Sequence, residues 1–212
     1  MNAQVPLTSA KEALIRSAER LIAERGIDAV SDREIAREAG QRNNSAVQYH
    51  FGDRAGLISA ILDYRMVPLN EQRFSMMAEL EERGEYDVSD LVSILVMPYI
   101  NQLNELAGET AYFSLMSQLS LRGSDLMGGL DSARNSAILK LMDMIAINQP
   151  EIQRDELLER LGYMAKLVIH MASDWDKASR KDPQQWSSDY LELQAKGLIS
   201  FMAGGMQQPG VR

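Results

Sequence analysis

Three helix starts and two glycine stops crowd into the stretch from Val30 to Arg54, VSDREIAREAGQRNNSAVQYHFGDR. This crowding restricts the fold more than any other feature of the chain. Ser31, followed three residues later by Glu34, is a capping-box pattern, in which side chain and backbone satisfy each other's free donors at a helix N-terminus. The helix it opens carries Ile35, Ala36 and Ala39 and stops at Gly40. A second short helix is expected from roughly Asn44 to His50, with Asn43 or Asn44 as its N-cap. Val47 and Phe51, four apart, are its expected anchors, and Gly52–Asp53 ends it and opens the next helix. Helices this short are marginal alone and must pack into a larger unit. The second is polar over most of its surface, and a polar helix inside a compact domain is usually there to touch something. The expectation is a helix-turn-helix with this element as its recognition helix. The competing reading is an ordinary helical hairpin whose polar helix faces solvent.

The flanking sequence completes a helical head. Ser9 with Glu12 forms another capping-box pattern, followed by the apolar stripe Leu14, Ala18, Leu21 and Ile22 and a stop at Gly26. Beyond the polar helix, Leu57, Ile58, Ile61 and Leu62 repeat at helical spacing. Pro68 is expected to interrupt or kink that helix, and a further run, Leu69 to Arg83, closes at Gly84. The remainder reads as helices at Asp87–Leu106, Glu109–Leu121, Ala133–Ile147 and Arg154–Ser179. A last helix is entered through Asp182-Pro183 and runs to about Met202. The fold class is therefore all-α: a three-helix head over residues 1–66, a larger helical body over 67–204, and a disordered tail over 205–212. The boundary near Tyr64 to Pro68 is helical, so movement in the body would reach the head through a stiff element.

Composition narrows the function. The net charge of −8 is unfavourable for a polyanionic partner. However, the first 65 residues carry nine Lys or Arg and nine Asp or Glu, so the head is neutral and the body holds the whole deficit. No cysteine is present, which excludes disulfides and thiolate metal sites. Only two histidines occur, His50 and His170. No phosphate-binding glycine loop, zinc-binding helix pair or nucleophile elbow appears, so neither an enzyme nor a cofactor is expected. His170 with Asp174 is an i,i+4 pair, too common to predict a metal. No signal peptide or membrane span is evident, and a cytoplasmic location is expected.

Two segments, ALIRSAERLIAERGIDAVSDREIAREAG and YHFGDRAGLISAIL, together resemble the DNA-binding head of the tetracycline-repressor (TetR) family. The resemblance runs from about Lys11 to Leu62, roughly a quarter of the chain. It implies a homodimeric, all-helical transcription factor whose body binds a small molecule. Family members commonly have seven residues between the Ala-Gly pair and the Tyr-His-Phe triplet, whereas here there are eight, Gln41 to Gln48. Carried over by position, the resemblance places Asn44, Ser45, Ala46 and Gln48 toward the major groove. Gln48 is suited to an adenine edge and Ala46 to a thymine methyl. Tyr49, His50 and Arg54 become phosphate contacts, Ser31 opens a helix N-terminus toward another phosphate, and Arg42 in the turn reaches backbone or base.

The body carries two further patterns. Leu157, Leu161, Met164, Val168, Met171 and Trp175 are spaced as an a/d seam. With Leu193, Gly197 and Phe201 of the last helix they are the expected dimer interface, a four-helix bundle formed by two subunits. The bland reading is core packing within one subunit. Twelve of the thirteen methionines follow Arg65, which suits an adaptable apolar pocket as well as a plain core. Tyr112, Phe113, Met116 and Met142 are its expected walls, with the row Tyr163, Leu167 and His170 pointing into it. The expected function is a DNA-binding regulator, a ligand-responsive repressor that binds a palindromic double-stranded operator as a homodimer and is released by a small, largely apolar effector. The alternative is a helical small-molecule-binding or adaptor protein without specific DNA binding.

Overall fold

A computed structural model describes residues 9–106, 111–121 and 133–209. Those residues are helical, with no strand among them. The elements are α1 (Ser9–Arg25), α2 (Asp32–Glu38), α3 (Ala46–Phe51), α4 (Arg54–Arg83), α5 (Val88–Leu106), α6 (Tyr112–Ser120), a 3₁₀ turn (Ala133–Asn135), α7 (Ser136–Asn148), α8 (Arg154–Lys181) and α9 (Ser188–Met206). The chain forms two compact units, Met1–Arg65 with Thr110–Met127, and Met66–Glu109 with Gly128–Arg212.

In the first unit, α1 buries Leu14, Ile15, Ala18, Leu21 and Ile22, one stripe of an amphipathic helix. It stops at Gly26, whose φ of +89° is costly for any residue with a side chain. Glu12 does not close the expected capping box. Its carboxylate accepts from Arg16 Nε at 3.0 Å and from the Tyr64 hydroxyl at 3.1 Å, which hold its pKa below the ordinary value. α2 ends in a paired C-terminal lock: the Gln41 N–H donates to the Ala36 carbonyl and the Gly40 N–H to that of Arg37. α6 packs on α1 within this unit. Sequence periodicity marks α6 as amphipathic but does not say which helix covers it.

In the second unit α5 is apolar on nearly every side, burying Val88, Leu91, Val92, Ile94, Leu95, Val96, Tyr99, Ile100 and Leu103. A helix apolar all round must be surrounded, and α7, α8 and α9 pack against it. Pro68 and Pro98 both lie inside continuous helices, so Pro68 does not break α4 as expected. The entry to α9 also differs from expectation. Asp182 heads a short turn, accepting from the Gln185 N–H at 3.1 Å, and Ser187 is the actual N-cap, accepting from Tyr190. The expected tail begins too early, because α9 runs to Met206. Arg160 Nη1 then donates to the carbonyls of Met206 and Gln208 at 2.8 Å each, satisfying acceptors left free at a helix end. Residues 210–212 of that tail lie outside the described residues. Among the described residues no helix is long and apolar enough to cross a membrane.

Candidate functional site

The short polar helix is positioned from both sides. Upstream, the Ser31 N–H and hydroxyl both donate to Glu34 Oε2, at 2.9 and 2.8 Å, and Ser31 Oγ accepts from the Glu34 N–H. Arg25 adds a contact to Glu34 Oε1 at 3.1 Å. The Ser31 N–H, its hydroxyl and the Arg25 guanidinium together lower the Glu34 pKa from 4.5 to about 2. In the turn, Asn43 Oδ1 accepts from the Ser45 N–H at 2.9 Å and its carbonyl from the Ala46 N–H. Asn43 therefore supplies the capping contacts, although Ser45 occupies the N-cap position. Downstream, Asp53 Oδ1 accepts from the Gly56 N–H at 2.7 Å and opens α4. A Cβ on Gly56 would lie 2.0 Å from the Phe51 carbonyl oxygen, so only glycine allows this close junction of α3 and α4.

On α3, Val47 and Ala46 face inward and are buried, and Phe51 is half-buried. Asn44, Ser45 and Gln48 are exposed, His50 is half-buried, and Tyr49 is 80% exposed. The Tyr49 and His50 rings meet edge to face, 4.9 Å apart. Three expected contacts are corrected. Ala46 is core, so its methyl is not offered to a base. Arg54 is committed inside the head, with Nη1 3.0 Å from Asp32 Oδ1 and Nη2 donating to the Ile27 carbonyl at 3.1 Å. The Ser31 polar groups are taken by Glu34, and the carboxylates of Glu34 and Asp32 there oppose an anion. In each case a tertiary or capping partner satisfies the group before any ligand arrives.

The ion pairs of the head also reveal what residue counting missed. Arg16, Arg20, Arg25, Arg54 and Arg65 are each paired with a carboxylate of the first unit. Arg33 and Arg37, four apart on α2, and Arg42 in the turn are exposed and have no ion-pair partner among the described residues. A head with no net charge thus keeps its uncompensated positive charge on α2 and the turn that precedes α3. The i,i+4 spacing of Arg33 and Arg37 was the available signal.

The body assignments change as well. Tyr112, Phe113 and Met116 are buried in the first unit, where α6 meets α1, whereas Met142 is buried in the second. The four expected wall residues thus belong to different units. Tyr163 is 63% exposed, and Leu167 and His170 are half-buried, so this row faces outward and not into an interior cavity. Conversely, Leu161, Met164, Val168 and Trp175 are buried inside the second unit, and Met171 is half-buried. Those four side chains are core of the second unit already in the single chain, where α5, α7 and α9 pack on α8. Leu193, Gly197 and Phe201 are exposed, Leu193 at 60% and Phe201 at 73%. Tyr163, Leu167, Phe201 and Gly204 line an open groove of about 480 Å³ between α8 and α9.

Residues 14–61 match the family model described as bacterial regulatory proteins, tetR family. Residues 93–205 match that of the tetracyclin repressor-like C-terminal domain. A protein from Rhodococcus sp., assigned to the TetR-family transcriptional regulators, is similar at 21% identity and a TM-score of 0.59, with 92% of this chain and 100% of that one covered. A TetR-family protein from Shewanella sp. PV-4 is similar at 15% identity and a TM-score of 0.61, with 96% and 99% covered. A transcriptional regulator from Rhodococcus sp. Rha1 aligns at 20% identity and a TM-score of 0.53, with 92% and 96% covered. At these identities the structural likeness shows the shared fold. No curated protein matches the chain.

Proposed function

The chain belongs to the TetR family of bacterial transcriptional regulators, DNA-binding proteins and not enzymes, and on that premise we propose that it is a ligand-responsive repressor. It binds a palindromic operator as a homodimer and is released by a small effector held in the body. The observation that carries the DNA-reading part is the meeting of two features at one place. The exposed polar side chains of α3 follow directly on the three unpaired arginines of α2 and the turn. Gln48 is the residue for a base edge, where its amide fits adenine bidentately. Asn44 and Ser45 flank it. Arg33, Arg37, Arg42, Tyr49 and His50 serve phosphates and fix register without reading sequence.

Dimerisation is assigned to the outward strip of α8 and α9, with Tyr163, Leu167, Leu193, Gly197 and Phe201. Its support is the exposure of large apolar side chains beside glycines where a partner helix can approach closely. A two-fold axis there presents two recognition helices, which a neutral head needs because each one alone has little electrostatic attraction.

Footprinting on the DNA flanking the gene tests this reading. The expected result is a symmetric footprint whose half-sites lie about one helical turn apart or somewhat more. A protein that protects no specific sequence at moderate salt would instead be a helical binding or adaptor protein.

A further inference from the structure

Among the described residues three buried side-chain polar atoms have no hydrogen-bond partner: Arg73 Nε, Gln102 Oε1 and Ser173 Oγ. All three lie in the second unit. Buried polar groups are ordinarily satisfied, and an orphan calls for a reason.

Arg73 is the most demanding of them. It sits on α4 at 2% exposure, among the largest fully buried side chains of the protein. Its Nη1 donates to Asn70 Oδ1 at 3.0 Å, and its guanidinium lies 5.4 Å from the centre of the Tyr99 ring. Both partners are neutral, and no carboxylate among the described residues pairs with it. Arg65, buried to a similar degree in the first unit, shows the usual solution, a two-point pair with Glu19. An arginine cannot escape burial by losing its proton, as a lysine or histidine can. A buried cation without an anion is strongly unfavourable, so the missing component is a negative charge.

The surroundings hold this cation in place. The Asn70 amide donates to the Arg134 carbonyl at 2.8 Å, which turns Asn70 Oδ1 toward Arg73. Asn101 donates to Gln72 at 3.2 Å, fixing α4 against α5 beside it. Gln102 lies three residues from Tyr99 on α5, on the same helical side as the ring that covers Arg73. Its oxygen is a second buried polar atom without a partner in this unit.

We propose that the body recognises an effector bearing a carboxylate, and that the Arg73 guanidinium is the group that binds it. A single guanidinium matches a monoanion, and its planar fork fits a carboxylate with two parallel hydrogen bonds. This rests on the effector-responsive reading above and names the chemical class of the effector.

Thermal melts of the full chain and of Arg73→Met and Arg73→Gln test it. The probes are hexanoate, decanoate, 3-hydroxydecanoate and benzoate, each beside its neutral primary amide. At least one acid is expected to raise the melting temperature of the unsubstituted protein by about 5 °C or more at saturation. The matching amide is expected to do nothing, and both variants to lose the response. The ligand-free variants are expected to melt no lower than the unsubstituted protein, because they remove an uncompensated charge. The proposal is overturned if amides act as well as acids, if the variants keep the response, or if both ligand-free variants melt well below the unsubstituted protein. In the first two cases the effector-responsive reading survives without the anion. The proposal is likewise overturned if no acid raises the melting temperature, whereas the effector-responsive reading is judged separately, by whether any small molecule releases operator DNA.

Discussion

Arg65 grips Glu19 at two points, Nε to Oε2 at 2.8 Å and Nη2 to Oε1 at 3.0 Å, and both side chains are almost wholly buried. Glu19 Oε1 also accepts from the Ala111 N–H at 3.1 Å, and the Arg65 guanidinium lies over the Tyr112 ring. One ion pair thus joins α1, α4 and the start of α6. Removing either partner alone strands a buried charge, so Arg65→Leu is expected to destabilise the protein by about 3–5 kcal/mol. The double substitution Glu19→Leu with Arg65→Met is expected to recover most of that loss. Urea denaturation measures both, and a single-substitution cost under about 1 kcal/mol would show that the pair is dispensable.

Gly56→Ala is expected to cost about 1–3 kcal/mol or more, since its Cβ has no room beside the Phe51 carbonyl. Operator affinity should fall with it, because the displaced backbone belongs to α3. The control is Gly162→Ala, where nothing lies within 4 Å and α8 should gain up to about 1 kcal/mol. Equal melting temperatures for the two variants would contradict the steric argument.

Part of the acid sensitivity should come from the α2 cap. Glu34 has its folded pKa depressed to about 2 from 4.5, so its contribution is fully present above about pH 4.5. It is lost as the pH falls from there toward 2. The stability difference between the unsubstituted protein and Glu34→Gln should therefore be greatest near neutrality and shrink through that window. A difference independent of pH between 6 and 2 would mean that the charge of Glu34 plays no part.

On DNA, three substitutions should separate reading, anchoring and scaffolding. Gln48→Ala should relax preference at one base pair per half-site by about 1–3 kcal/mol, leaving other positions alone. Arg42→Ala should weaken every sequence alike and lower the salt dependence by about one phosphate contact per subunit, with the melting temperature unchanged. Arg54→Ala should lower the melting temperature first, because it breaks the tie to Asp32 and Ile27. Binding measured against salt, beside thermal melts, checks all three; an Arg54→Ala protein of full stability that has lost a phosphate contact would restore Arg54 to the DNA surface.

For the dimer, Phe201→Glu should give folded monomers with weakened operator binding, since that side chain faces solvent in the single chain. Val168→Glu should unfold the body, because Val168 is buried within it. Sedimentation and circular dichroism distinguish the two outcomes. A Phe201→Glu protein that stays dimeric would place the interface elsewhere.

What was legible in advance was local. The Ser31–Glu34 box and the Gly40 stop depend on residues within a turn or so of each other, so the chain itself specifies them. The order of helices and the family pattern followed from the same short-range spacing. What escaped was any choice between two faces or two partners. α8 carries two rows of apolar residues, Leu161-Met164-Val168 and Tyr163-Leu167, both at helical spacing. Periodicity shows that each row shares a face, but only packing against α5, α7 and α9 decides which is interior. Arg54 reads as a free cation until Asp32, distant in sequence, is folded against it. Arg65 and Arg73 are both buried arginines in one helix, yet one meets a carboxylate and the other does not. The sequence by itself determined which segments are helical and the family, because the hydrogen bonds and caps of a helix are short-range. Tertiary structure alone decided which charges are spent and which faces remain open, because those depend on neighbours brought together only by folding.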